Sequence, residues 1–132
     1  MYFFTALLVA SSVAFVNAGV NCNGSGNCPG IVGSLSDIVN ISQGLDENRI
    51  YRPGEHIICI QSQLGNGLCA FLQGNSAENG HFVKILLKDL QNHGCKKCGS
   101  VPVDATQGGN DDGNGILTVN AVGSTGGCNG IC

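Results

Sequence analysis

The sequence has few aromatic rings and few charged side chains. It contains no tryptophan and two tyrosines, and six basic residues against nine acidic ones give a formal net charge of −3. A basic footprint for nucleic acid or for an anionic membrane is therefore missing. Stacking platforms for sugars or bases need aromatic rings and are not expected either. We predict that nucleic acid is not a partner.

A long apolar run occurs at the N-terminus. Residues 3–15 are apolar apart from three hydroxyl side chains, and Val-Asn-Ala at 16–18 has the small-x-small form of a signal-peptidase site. The apolar stretch is too short to span a bilayer. We predict a cleaved secretory signal at residues 1–18 and a single mature domain at residues 19–132, which is secreted, extracellular and without a membrane span.

Glycine and cysteine are abundant. The 21 glycines fit a chain of short elements joined by tight turns. All eight cysteines follow the predicted signal, and an even number in a small secreted chain indicates a disulfide framework. Spacing alone does not assign the pairs. The cysteines are Cys22, Cys28, Cys59, Cys69, Cys95, Cys98, Cys128 and Cys132.

Two segments have the apolar spacing of a helix with one buried face. The first lies within residues 31–44, where Ile31 begins the apolar face and Gly44 offers a stop. The second covers residues 81–94, ending at Gly94, and we predict Ser76 as a cap near its start.

Three segments have the composition of strands. Residues 55–73 predict a hairpin, residues 100–103 a short edge strand, and residues 116–122 the last strand, followed by an irregular tail. The order of helices and strands predicts an α+β fold. We expect a small disulfide-rich α/β sandwich, an antiparallel sheet with two main helices on one face.

The pair Cys95 and Cys98, with two lysines between them, follows the second predicted helix. A redox CxxC usually has its nucleophilic cysteine at a helix N-terminus, where the dipole lowers the pKa of the thiol. At a C-terminal end the dipole has the opposite sign. A zinc site would need a second close pair, and Cys22 and Cys28 are spaced too loosely for one. We therefore predict that the CxxC pair anchors the N-terminal arm through disulfides.

Four stretches resemble the killer protein 4 family, the virus-encoded killer toxins of smut fungi and their secreted fungal relatives. They are NHGCKKCGS at 92–100, GILTVNAV at 115–122, VNCNGSGNC at 20–28 and PGE at 53–55. Their order and approximate spacing match across nearly the whole mature chain. The resemblance implies the same small disulfide-rich sandwich. It also implies a toxin that blocks voltage-gated calcium channels of a target fungus or, in some members, slows plant root growth.

The resemblance further implies a disulfide pairing. The first two cysteines join the CxxC pair, as Cys22–Cys95 and Cys28–Cys98. The cysteine after PGE joins the tail, as Cys59–Cys128 or Cys59–Cys132, and Cys69 takes the remaining tail cysteine. A Cys59–Cys69 bond together with a Cys128–Cys132 bond stays open as the alternative.

The chain departs from the family in its basic residues. The family toxin is basic, and a lysine just before the cysteine that follows PGE is tied to its activity. This chain is acidic and has Ile57 at the closest match, while Arg52 stands where the family has a cysteine. The candidate target-binding residues are therefore Lys96 and Lys97, between the predicted disulfides, with Arg49 and Arg52 before PGE. The alternative is that these residues belong to solvated turns.

The remaining candidates are weaker. Asn23 and Asn40 begin Asn-x-Ser sequons and are candidate glycosylation sites. Asp104 and His93 have no evident nucleophile partner, and the polar turn around Asp111 lacks the glutamate that closes a calcium-binding EF-hand. We expect no enzyme activity, no metal and no cofactor, and a monomer.

These observations lead to two main hypotheses. The first is a secreted killer-toxin-like protein that inhibits the growth of competing fungi or acts as an effector on plant cells. Its partner would be a cell-surface target, and its mechanism the block of a calcium channel. The alternative is a non-toxic secreted protein of the same fold that binds a surface or a cell-wall component. A small hydrolase or thiol oxidoreductase is the weakest possibility.

Overall fold

The computed structural model describes residues 19–105 and 112–132. The predicted signal at residues 1–18 and Asp111 of the predicted polar turn lie outside the described residues. Two helices are present in the described part, α1 at Leu35–Ser42 and α2 at Gly80–Asn92. The strands are β1 (Ile50–Tyr51), β2 (His56–Gln61), β3 (Gly67–Gln73), β4 (Glu78–Asn79), β5 (Gly99–Pro102), β6 (Ile116–Val122) and β7 (Gly130–Ile131).

Five of these strands form one antiparallel sheet in the order β5-β6-β3-β2-β7. The central strand β3 pairs with β6 along its whole length and with β2 through the predicted hairpin. β1 and β4 form a separate antiparallel pair. The N-terminal arm adds a short bridge from Asn21 to Ser100 at the outer edge of β5. These features confirm the predicted α+β fold with an antiparallel sheet.

Helix α1 begins where a capping box satisfies its first backbone donors. The Ser34 hydroxyl accepts a hydrogen bond from the Asp37 N–H, and the Asp37 carboxylate accepts one from the Ser34 N–H. The helix therefore starts at Leu35. The predicted helical segment, which began at Ile31, started upstream of the observed helix. Ile31 precedes the helix, although its side chain is buried in the same core.

Helix α2 begins at a different cap from the predicted one. The Asn79 side chain accepts a hydrogen bond from the Phe82 N–H, which satisfies one of the free donors of the first turn. Ser76 lies too far upstream for this role, and its hydroxyl donates to the Glu78 carboxylate instead. Gly94 follows the last turn with a φ of 96°, as a helix-terminating glycine does.

Both helices pack against each other and against the five-stranded sheet. α1 contacts β2 and β7, and α2 contacts β5 and β6. A bulge between His56 and Ile58 interrupts the alternation of β2, so that Ile57 and Ile58 both join the core. Fully buried core side chains include Leu35, Ile38, Leu68, Leu72, Leu86, Leu87, Leu90 and Leu117.

The C-terminal tail packs against the β2–β3 hairpin. The buried Thr125 donates its N–H to the Gly65 carbonyl, and its hydroxyl accepts a hydrogen bond from the Gln61 amide. Beyond it, strand β7 adds a partner at the edge of β2. The predicted strand at residues 116–122 is therefore confirmed as β6, but it is not the last strand, because β7 follows it. The two residues of β7 are too few to give a periodic signal in the sequence.

Candidate target-binding surface

Two disulfides hold the N-terminal arm at the end of helix α2. They are Cys22–Cys95 and Cys28–Cys98, with sequence separations of 73 and 70 residues. Cys95 and Cys98 are almost fully buried, so the CxxC segment lies in the framework and not at an open redox site. These are the pairs that the family resemblance implied.

The arm also docks through backbone contacts close to the CxxC segment. Asn21 and Ser100 exchange backbone hydrogen bonds of 3.1 and 2.9 Å. A Cβ atom on Gly99 would lie 2.5 Å from the Asn21 carbonyl oxygen and 3.0 Å from the Cys95 sulfur. The close approach of arm and strand therefore needs a residue without a side chain at Gly99.

The two lysines of the CxxC segment have different environments. The Lys97 ammonium donates to the carbonyl oxygens of Ile31 and Pro29, at the end of the short 3-10 turn that carries Cys28. Its charge is thereby directed into the protein. The Lys96 side chain is exposed, while its backbone carbonyl accepts the Leu35 N–H at the start of α1. Lys96 is thus an outward cation on a segment that is fixed at both ends.

The two arginines before the PGE segment differ in the same way. The Arg49 guanidinium forms a 3.0 Å ion pair with Glu55 and lies 4.5 Å from the centre of the buried Tyr51 ring. Arg52 bonds to Glu55 through its backbone: its N–H donates to the second carboxylate oxygen at 3.0 Å, and its carbonyl accepts the Glu55 N–H at 3.1 Å. The Arg49 side chain therefore lies over the Tyr51 ring and is held by Glu55, whereas the Arg52 side chain is exposed to solvent.

These contacts shift the ionisation of the acidic residues. The Arg52 N–H, together with the Arg49 guanidinium, holds the pKa of Glu55 below its usual range, although partial burial opposes the shift. A hydrogen bond from Lys84 lowers the pKa of Glu47, at a distance of 3.0 Å. Both carboxylates are therefore ionised at neutral pH and neutralise the cations beside them.

All six basic residues of the chain lie in the described residues 19–105, and they divide into two groups. The side chains of four of them donate a hydrogen bond, to another side chain or, for Lys97, to backbone carbonyls; these residues are Arg49, Lys84, Lys88 and Lys97. Within the part of the chain that the structure describes, the side chains of Lys96 and Arg52 have no ion pair or hydrogen bond. Of the four predicted target-binding residues, Lys96 and Arg52 thus present their cationic groups to solvent, and the charge of Arg52 still acts on the nearby Glu55 carboxylate. No described contact joins the Lys96 segment to the Arg52 loop.

The position that matches the family's functional lysine is buried. Ile57 has no exposed surface and belongs to the core beside Ile58. A lysine there would place an unpaired ammonium among apolar side chains, which is strongly unfavourable. In this chain the Ile57 side chain packs in the core. A cationic contact with a target would have to come from other residues.

The remaining four cysteines pair locally. The structure contains Cys59–Cys69, across strands β2 and β3, and Cys128–Cys132, within the tail. The implied bond from Cys59 to the tail is therefore wrong, and the alternative pairing is the one present. Cys59 and Cys69 are directly opposite in the antiparallel register, with Cα atoms 4.1 Å apart, so the hairpin brings them together without help from the tail.

The other predicted residues lie on separate parts of the surface. Asn23 is exposed on the arm and Asn40 is exposed on α1, and glycosylation at either remains a prediction. Ser42, the third residue of the second sequon, is buried and donates its hydroxyl to the Val39 carbonyl. This hydroxyl is not available at the surface of the folded chain.

The candidates for catalysis have structural partners. His93 is the C-cap of α2, and its Nδ1 donates to the Asp89 carbonyl at 2.9 Å. Asp104 accepts a hydrogen bond from the Asn114 amide at 3.2 Å. The closest groups of metal-ligating atom types in the described residues consist of disulfide sulfurs, in one case with His56. None of the described helices has the length and apolar character needed to cross a membrane.

Comparison with known proteins agrees with this geometry. Residues 3–123 match the family model described as Kp4. The chain is 33% identical over 123 residues to the KP4 killer toxin of Ustilago maydis P4 virus, a match that covers 92% of this chain and 94% of the relative. Identity at this level over nearly the full length of both proteins shows common family membership.

Proposed function

The chain belongs to the Kp4 family of killer-toxin-like proteins, and we propose that it is a secreted protein that inhibits competing fungi or acts as an effector on plant cells. The proposed mechanism is binding to a cell-surface calcium channel and blocking it. Secretion is supported by the N-terminal apolar run and by four disulfides, which persist in oxidising compartments.

The observation that carries the proposal is the environment of Lys96. This side chain is an exposed cation on a turn whose two flanking cysteines are cross-linked to the N-terminal arm. A fixed, uncompensated positive charge suits the anionic mouth of a cation channel, because little conformational entropy is lost on binding. Arg52 offers a second exposed cation on a different loop, where the Glu55 carboxylate partly offsets its charge.

The proposal is tested by growth inhibition with purified oxidised protein. The assay uses a panel of fungi and plant seedling roots, with and without added calcium. We expect inhibition that added calcium relieves, as competition at a calcium channel requires. Inhibition that calcium leaves unchanged would contradict the channel mechanism but keep the toxin function.

Substitutions then identify the contact residue. Lys96→Gln should reduce inhibition about tenfold or more, on the scale of an interface residue that dominates binding. Arg52→Gln should have a smaller effect. Lys88→Gln is the matched control, because it removes one exposed charge from the surface of α2. Equal effects of all three variants would indicate general electrostatics and not a specific contact.

A second candidate function rests on a cleft between α1 and the tail. The cleft has a volume of about 470 Å³ and combines polar and apolar groups, as sites for polar cell-wall components do. Its lining residues are Asp37, Asn40, Ile41, Ile60, Asn129 and Gly130. Under this alternative the protein binds a surface or cell-wall polysaccharide without toxicity.

The second function is tested by pull-down on insoluble fungal and plant cell-wall polysaccharides. Retention that Asn129→Ala abolishes, together with no growth inhibition in any target, would support it. Growth inhibition without polysaccharide retention would favour the toxin.

A further inference from the structure

We propose that Asn23–Gly24, on the N-terminal arm, is a site of spontaneous deamidation, at which the folded protein converts its own asparagine into aspartate and isoaspartate. An asparagine followed by glycine is prone to this reaction, because glycine has no Cβ atom to block the approach of its backbone nitrogen to the asparagine side chain. The chain contains five such pairs, and all lie within the described residues. They begin at Asn23, Asn66, Asn79, Asn114 and Asn129.

Both reacting groups of the arm pair are available. Asn23 is exposed, and its side-chain amide forms no hydrogen bond in the described part of the chain. Its backbone N–H donates to the Asn21 side chain at 2.9 Å, which leaves the Asn23 amide itself free. The N–H of Gly24, the attacking group, has no acceptor among the described residues, and residues 22–25 belong to no helix or strand. The reaction therefore breaks no hydrogen bond at its start.

The pair Asn79–Gly80 has the opposite environment. The Asn79 side chain caps α2 by accepting the Phe82 N–H at 2.8 Å, and the Gly80 N–H donates to the Arg49 carbonyl at 2.9 Å. Both the group that is attacked and the group that attacks are thus held. Reaction here requires local unfolding at the start of the helix.

The other three pairs are held through the asparagine side chain. Asn66 accepts a hydrogen bond from the Ser62 hydroxyl, and Asn129 accepts one from the Gln61 N–H at 3.1 Å. In both pairs the glycine begins a strand, β3 or β7. The amide of Asn114 donates to an aspartate carboxylate at 3.2 Å. Of the five pairs, the one on the arm is therefore the one that the fold leaves reactive.

The reaction balances with water as its only co-reactant. The Gly24 nitrogen gives up its proton to solvent and attacks the side-chain carbonyl carbon of Asn23. A carbon–nitrogen bond forms, the bond from this carbon to Nδ2 breaks, and ammonia leaves, so that a succinimide ring remains. Water then opens the ring at one of its two carbonyl carbons. One opening gives aspartate, and the other gives isoaspartate, whose backbone is longer by one carbon.

The longer backbone of isoaspartate does not fit the packed arm. A Cβ atom on Gly24 would lie 2.5 Å from the Cβ atom of Cys98, so this glycine packs directly on the CxxC segment. The next residue, Ser25, donates its N–H to the Asn120 side chain at 3.0 Å. The two arm disulfides fix both ends of this stretch. An additional backbone carbon must therefore displace Gly24 or Ser25 from these contacts.

Both products also place a carboxylate beside the CxxC segment. Asn23 lies between Cys22, which is bonded to Cys95, and Gly24, which packs on the same segment. The new negative charge would offset the charge of the exposed Lys96. This consequence rests on the proposed function, in which Lys96 contacts the target. Deamidation would then lower the activity of the secreted protein with time.

The direct test is peptide mapping of oxidised protein that is produced without glycosylation, because a glycan on the predicted sequon would occupy the nitrogen that must leave. The protein is incubated at mildly alkaline pH, and timed samples are acidified, digested at acid pH and analysed by mass spectrometry, with enzymatic methylation to detect isoaspartate. We expect Asn23 to react about tenfold or more faster than Asn79, because reaction at Asn79 must first break two hydrogen bonds. Equal rates at these two residues would overturn the proposal, and so would faster reaction at any of the other three asparagines.

The reduced and unfolded protein is the matched control for the role of the fold. All five pairs should react at similar rates in it, since no side chain is held. A preference for Asn23 that persisted after unfolding would contradict the structural argument. The variant Asn23→Gln should lose the early product, because the longer glutamine side chain closes its ring far more slowly.

Growth inhibition tests the consequence for activity. Aged protein and fresh Asn23→Asp should both inhibit several-fold less than fresh protein, whereas Asn23→Gln should keep its activity on ageing. Fully active protein with a modified Asn23 would refute the effect on Lys96. If fresh protein inhibits no target, the proposed function fails, and the peptide map still decides whether Asn23 is the modification site.

Discussion

Two of the four disulfides join distant segments of the chain, and the other two join near neighbours. At the N-terminal arm, Cys22–Cys95 and Cys28–Cys98 join segments 73 and 70 residues apart. In the hairpin and the tail, Cys59–Cys69 and Cys128–Cys132 join residues only 10 and 4 positions apart, which the local backbone already places together. The arm is rich in glycine and asparagine and contributes few side chains to the core, so covalent bonds replace the burial that holds other segments.

The difference shows that the number of disulfides is a poor measure of stability. Equal numbers of bonds constrain the unfolded chain unequally, because the entropy removed grows with the length of the closed loop. The arm disulfides also position the segment with the exposed Lys96, whereas the hairpin and tail disulfides each close a short local loop.

The largest effect is expected from removing both arm disulfides. The variant in which all four arm cysteines become serine (Cys22, Cys28, Cys95 and Cys98) should lose more than about 4 kcal/mol of unfolding free energy, because it opens a loop of about 70 residues. Cys128→Ser with Cys132→Ser should lose only about 2 kcal/mol. The measurement is urea denaturation followed by circular dichroism. Equal losses for the two variants would contradict the division between arm and tail.

A smaller effect is expected where the arm meets β5. Gly99→Ala places a methyl group against the Asn21 carbonyl and the Cys95 sulfur, and should cost about 1–3 kcal/mol by overpacking. Gly26→Ala, in the same arm but with open space around its Cβ position, is the control and should be nearly neutral. Thermal unfolding of the two variants separates the outcomes. Neutral behaviour of Gly99→Ala would mean that the arm is held by its disulfides alone.

The two lysines of the CxxC segment should separate stability from activity. Lys97→Met removes the ammonium that bonds the Ile31 and Pro29 carbonyls, and should cost about 1 kcal/mol of unfolding free energy. Lys96→Met should leave stability unchanged, because its side chain has no described partner. Chemical denaturation measures both. A destabilised Lys96→Met variant would show that this side chain has a structural role.

The smallest effect is expected from the loop before PGE, where the Glu55 carboxylate bonds to Arg49 and Arg52. The folded-state pKa of Glu55 lies below its ordinary value of 4.5. The contribution of the ionised Glu55 carboxylate to the free energy of unfolding is therefore fully present above pH 4.5. It is lost as the pH falls through the lower folded-state pKa. After solvent screening this amounts to about 0.5 kcal/mol. Glu55→Gln should flatten the stability profile as the pH falls below 4.5, measured by denaturation at each pH. An unchanged profile would show that the bonds of the Glu55 carboxylate to the Arg52 N–H and the Arg49 guanidinium contribute nothing measurable.

Much of the fold could be predicted because its signals are local. The α2 segment has apolar residues at helical spacing, and its terminating Gly94 is visible in the sequence. The β2–β3 hairpin and β6 are rich in branched apolar residues between turn signals. By contrast, the two-residue strands β1, β4 and β7 give no periodic pattern. Each exists because a distant segment supplies its hydrogen-bond partner.

The candidate site was predicted as four basic residues, and the structure separates them into two kinds. The sequence shows that Lys96 and Lys97 are adjacent, but their environments depend on the Ile31 carbonyl, about 66 positions away in the chain. Likewise, Arg49 differs from Arg52 because of a stacked Tyr51 ring and the position of Glu55. Side-chain direction toward a long-range partner is decided by packing, which periodicity does not encode.

The sequence by itself determined the class of this protein. The apolar N-terminal run, the eight cysteines and the apolar spacing indicated a small disulfide-stabilised α+β domain, because these signals depend on composition and near neighbours. The killer toxin family was indicated separately, by the resemblance of four short motifs. Only the tertiary structure decided which cysteines pair in the hairpin and tail, and which cationic side chains have a hydrogen-bond or ion-pair partner. Both depend on atoms that are far apart in sequence and meet only when the sheet, the helices and the tail have packed together.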